Sequence, residues 1–174
     1  MCNYRCFYKC GQEFEEPIDE KFGKDSKEAI NSWAQVQYEF LFFFTHLAMR
    51  SALSKLGNDK RIKLQDLLGP ILVDSTTEAW FGHWPEKLKN GIRDDFFTNL
   101  NKAEFEYAQY KGLSPATGQS PKGTLLWELA KNIARLSGYE NNPEVILYCI
   151  DIVINHFNDL EKIENLVVHV GKKL

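Results

Sequence analysis

Apolar positions recur every three to four residues along most of this chain, the period of helices that bury one face. The longest such run spans 26–56. It opens on "DSKE", which offers an N-cap and a glutamate for a capping box, and it stops at Gly57-Asn58. On a wheel of about 100° per residue, Glu28, Ser32, Gln35, Glu39, His46 and Arg50 form one narrow polar stripe. Ile30, Trp33, Ala34, Phe40, Leu41, Phe44, Leu47, Ala48 and Ala52 fill most of the rest. A helix this apolar is wrapped by others and belongs at the centre of the fold. Its polar stripe reads as solvated or facing a partner.

A short helix is expected in "KRIKLQDLL", ending near Gly69-Pro70. "DSTTEAWFGHWPEKLKNG" reads as another turn or two of helix broken at Gly82 and Pro85. The next long run, 91–111, has a core stripe of Ile92, Phe96, Leu100, Ala103, Tyr107 and Tyr110. Nearly opposite lies a second apolar patch, Phe97, Phe105 and Ala108. "KGLSPATGQSPKG" is a loop by composition. Ser120-Pro121 then resembles an N-cap followed by proline, starting a helix that runs to Leu136 and ends at Ser137-Gly138. Asn142-Pro143 repeats that signal for a helix over 143–166, with core positions Ile146, Cys149, Ile150, Val153, Phe157 and Leu160. The tail "NLVVHVGKKL" carries no assignment.

These segments predict an all-α fold: one domain over 1–174, a bundle of four main helices with additional short ones. Residues 1–25 are expected as an N-terminal extension packed on the bundle. In its first ten residues Cys2, Tyr4, Cys6, Tyr8 and Cys10 alternate with Asn3, Arg5, Phe7 and Lys9. That period of two predicts an irregular segment or a short strand.

Composition narrows the function. The 174 residues are 44% apolar and 26% charged, as in a soluble globular domain with a sizeable core. Net charge is -3 and no basic stripe is present, which argues against binding nucleic acid. Met1 is followed by Cys, Asn and Tyr rather than a signal-peptide pattern, and "FLFFFTHLAM" is too short to span a bilayer. A cytoplasmic protein without a membrane partner is expected. There, cysteines are thiols or metal ligands rather than disulfides.

The even spacing of Cys2, Cys6 and Cys10 invites a metal site and then weakens it. On a helix the outer two lie about 12 Å apart along the axis. On a strand neighbouring ones are about 13 Å apart. Zinc holds each sulfur at about 2.3 Å. Only an irregular loop bringing Cys6 and Cys10 to Cys149 or His156 would make a zinc site; otherwise the thiols are small apolar groups. The four histidines lack the Glu-x-x-His pairing of a di-iron bundle, and no HExxH occurs. Glu39 and His46 lie seven apart on one face, where an acid and a base could act, but they share the polar stripe. His156 sits on an apolar flank, one turn from Asp159. Trp80, Phe81, His83 and Trp84 form the densest aromatic cluster, either a cap over the bundle or a surface that stacks on a ligand or anchors a partner. "GQSPKGT" lacks the order of a nucleotide-binding loop.

The leading reading is a non-enzymatic protein-interaction module. A homodimer joined at Phe97, Phe105 and Ala108 is one form of that reading, and no cofactor is expected. The alternative is a bundle that binds a metal or small molecule, through Cys6, Cys10, Cys149 and His156 or through the Trp80–Trp84 cluster.

Overall fold

The computed structural model describes residues 5–83, 85–114 and 120–174. Among them the chain forms eight helices and no strand, an all-α fold. In order these are α1 (Arg5–Gln12), α2 (Glu15–Phe22), α3 (Lys27–Leu56), α4 (Asn58–Phe81), α5 (Glu86–Tyr107), α6 (Leu125–Leu136), α7 (Pro143–Asn155) and α8 (Phe157–Gly171).

The apolar girth of α3 explains the architecture. Ser26 takes an extended conformation and its side-chain oxygen accepts from the Ala29 N–H at 3.0 Å. Gly57, at φ +84°, ends the helix in a conformation that costs other residues a clash. Between them Phe40, Leu41, Phe42, Phe43 and Phe44 are all buried. Consecutive buried residues point in every direction around a helix, so neighbours must stand on every side. They do: α3 packs against α1, α2, α4, α5, α6 and α8. Each phenylalanine removed from water contributes about 1.5–3 kcal/mol.

The helix expected over 91–111 starts earlier and ends earlier, as α5, and four further boundaries differ from the sequence pattern, each for a local reason. The strand or irregular segment expected at the N-terminus is instead helix α1. A spacing of four is also a helical period, and it turns Cys10 into the main core with Phe14 and Ile18. Gly11 lets α1 close on α3, because a Cβ there would fall 2.3 Å from the Gln37 side chain. The break expected at Gly69-Pro70 is absent: α4 runs through it. Pro70 is exposed while Leu64, Val73, Thr76 and Thr77 are buried, so packing outweighs one lost backbone bond.

The helix expected from Ser120-Pro121 begins later, at Leu125. Pro121 instead starts a turn, its carbonyl accepting from the Thr124 hydroxyl at 2.7 Å and the Thr124 N–H at 3.2 Å. Thr124 then caps α6 by accepting from the Trp127 N–H at 3.3 Å. The single helix expected over 143–166 is two. It starts as anticipated, with the Asn142 side chain accepting from the Glu144 N–H at 2.9 Å. It breaks at His156, which adopts φ -101° and ψ 7°. Helix α8 turns back onto α3 and α4, and its Val167 joins Ala48, Met49, Ala52 and Leu64 in a second, smaller core. No helix among the described residues is long and apolar enough to cross a membrane.

Candidate functional site

The polar stripe of α3 is where the structure departs furthest from expectation. Glu28 and Gln35 are exposed, as a solvated stripe requires. Ser32 and His46 are buried, and Glu39 and Arg50 are half-buried. Neighbouring helices cover this part of α3, so these groups meet polar partners on α5, α6 and the segment after α5. Ser32 donates to the Leu136 carbonyl at 2.6 Å, and Arg50 donates to the Tyr110 and Lys111 carbonyls at 3.0 and 2.7 Å. His46 Nδ1 stands 3.1 Å from Glu104 Oε2.

Glu39 has the densest set. Its Oε1 accepts from the Tyr107 hydroxyl and from Asn132 Nδ2, the latter at 2.9 Å. The same Asn132 nitrogen donates to Glu106 Oε1 at 3.2 Å. Only Nδ2 of an asparagine can donate, so the two carboxylates fix how the amide is turned. Burial holds the Glu39 carboxyl above its ordinary value. The bonds from Tyr107 and Asn132 oppose that rise, Glu106 adds to it, and Arg135 opposes it. Burial, then the charge of Glu39, pushes the Tyr107 phenol far up, so it remains a proton donor.

This cluster forms part of the wall of a cleft of about 870 Å³ between the N-terminal half of α3, α5 and α6. Its deep surface is aromatic. Tyr38 stacks on Phe42 with ring centres 5.8 Å apart, and Phe96 meets both rings edge-on at 5.8 and 5.4 Å. Burial pushes the Tyr38 hydroxyl up to about 12. The exposed rim carries Lys27, Lys102 and Arg135 together with Asp95 and Asn99. Ile30, assigned to the core by its place on the wheel, is 56% exposed at this rim.

The residues singled out by sequence are scattered. Cys149 is buried on α7, and burial, with the charge of Glu39, raises its thiol well above the ordinary range. Cys10 is buried on α1, and His156 is half-buried at the α7–α8 break. Among the described residues no three His, Cys, Asp or Glu side chains come close enough to hold a metal ion. The side chains of Cys6, Trp80, Phe81 and Asp159, and residues Cys2 and Trp84, lie outside the described residues. His83 is exposed. On α5, Phe97 is 38% and Phe105 76% exposed, and Ala108 is exposed just beyond the helix.

Asn132, Glu106 and Arg135 were not anticipated. A signal that leads to them is Tyr107: a tyrosine on a core stripe needs a partner for its hydroxyl, and Glu39 on the neighbouring helix supplies one. No protein-family model, curated protein or solved structure matches this chain.

Proposed function

We propose that this protein binds a small organic molecule in the cleft between α3, α5 and α6. The observation that carries the reading is a concavity of about 870 Å³ that joins an aromatic surface to the convergent polar groups of Glu39, Glu106 and Asn132. Ligand sites are commonly this size, mostly apolar, with a few fixed polar groups. The reading is of binding without turnover, in a cytoplasmic setting that keeps Cys149 a thiol. It moves the ligand site of the metal- or small-molecule-binding alternative away from the cysteines and the Trp80–Trp84 cluster.

Ala103→Trp tests it. Ala103 lies on the cleft wall, and an indole there occupies the space a ligand needs. In a ¹⁵N-labelled protein screened by NMR against a fragment library, hits should shift resonances of cleft residues. Those shifts should vanish in Ala103→Trp while its circular dichroism stays helical. Hits that survive in this variant would place binding elsewhere and end the proposal.

A second reading rests on a different observation, the 76% exposure of Phe105 beside Phe97 and Ala108. A phenylalanine this open on a helix face fits self-association through α5. Light scattering decides it: a strict monomer across micromolar to millimolar concentration removes the homodimer.

A further inference from the structure

The hydrogen-bond inventory of the cleft says what kind of ligand it takes. This inference rests on the cleft being the binding site. Tyr107 has one O–H hydrogen and Asn132 has two N–H hydrogens. The Tyr107 hydroxyl is spent on Glu39, and the Asn132 amide donates to Glu39 and Glu106. What remains is acceptors. Oε2 of Glu39, Oε2 of Glu106 and Oδ1 of Asn132 receive no hydrogen bond among the described residues.

Charge points the same way. Lys27, Lys102 and Arg135 stand at the rim, yet among the described residues neither Glu39 nor Glu106 forms an ion pair. Two carboxylates held by one amide in a partly enclosed site repel each other, and a cation between them relieves that repulsion. The nearby rings of Tyr38, Phe42 and Phe96 offer an apolar surface. Aromatic faces also attract organic cations. A bare metal ion would leave most of about 870 Å³ unfilled.

We infer that the cleft takes a primary amine carried on an apolar body. Its –NH₃⁺ group lodges at Glu39, Glu106 and Asn132, and its body lies against Tyr38, Phe42 and Phe96. An ammonium brings three donors and no acceptor, which matches three free acceptors. Charge-assisted hydrogen bonds are roughly twice as strong as neutral ones, so the amine should outbind an alcohol of the same shape by about tenfold.

The experiment is an NMR titration of the whole chain with 2-phenylethylamine, 2-phenylethanol and 3-phenylpropionate. It is run on the wild type, Glu39→Gln and Glu106→Gln, each checked for helical circular dichroism. The amine should bind tightest and the carboxylate not at all. The preference for amine over alcohol should collapse in either variant. If one variant does not fold, the other and the wild-type series still decide. Alcohol binding as tightly as amine, or an amine preference intact in every folded variant, overturns the inference. Cleft shifts with the alcohol or the carboxylate but not the amine would sink the amine and keep the cleft. No cleft shift with any of the three sinks both.

Discussion

The α3 stripe carries two polar sites, at Glu39 and at His46, and they have opposite surroundings. At Glu39 the polar groups border a cleft of about 870 Å³. At His46 and Glu104 the neighbouring void, lined by Thr45, Met49, Gln65, Leu68, Gly69, Leu72, Leu100 and Glu104, measures only about 10 Å³. That is near the space of a single water. There His46 Nε2 and Glu104 Oε1 are buried without a hydrogen bond among the described residues. The two sites even touch, since the His46 ring lies 5.6 Å from that of Tyr107. Similar chemistry therefore serves two ends. Closed over by α4, it fastens α3 to α5. Left open between α3, α5 and α6, it lines a cleft, the site proposed here for a ligand. Polar residue type alone does not make a site; the volume beside it does.

If that contrast is right, disturbing the closed site costs more than disturbing the open one. His46→Ala leaves a void where the imidazole is buried and strips Glu104 of its partner. A loss of about 3 kcal/mol is expected in urea unfolding. Tyr107→Phe removes the hydroxyl from Glu39 but keeps the ring against Phe43, with centres 5.6 Å apart. The carboxylate it abandons can draw water from the cleft, so the loss should be nearer 1.5 kcal/mol. Equal losses, or a larger one at Tyr107, would break the comparison. Because the two rings touch, the double variant should not be strictly additive.

Much of this fold is legible in the sequence, and the cleft is not. Apolar girth places α3 at the centre, and Ser26, Gly57 and Asn142 mark ends because their capping bonds are local. The errors arise where distant packing overrides a local signal. Pro70 reads as a stop, yet the buried side of α4 holds the helix together across it. His156 reads as mid-helix, yet the chain turns there so that α8 can cover Ala48 and Ala52. The stripe reads as solvated, yet Ser32 and His46 are buried, because a wheel shows only which residues share a face. It cannot show that α5 and α6 stand before that face, or that they stand apart far enough to leave a cleft. Glu39, Tyr107 and Asn132 are 68 and 93 residues apart as hydrogen-bonded pairs, beyond any periodicity.

The finest test of the open site is its charge. Burial holds the Glu39 carboxyl above its ordinary value, so ionising it is harder in the folded protein than in the unfolded chain. Stability from this group is fully present below the unfolded value, about 4.3, and is lost as pH rises through the folded one. Glu39→Gln removes the titration but keeps an oxygen that can accept from Tyr107 and Asn132. Relative to wild type, the variant should gain stability between pH 3.5 and 7.5, by less than either loss above. Urea unfolding of both proteins across that range measures the difference, and the titrations of every other group cancel in it. A wild type that instead gains on the variant as pH rises would mean that the hydrogen bonds outweigh burial. Glu39 would then be a carboxylate already satisfied by the protein, with little left to offer a cation.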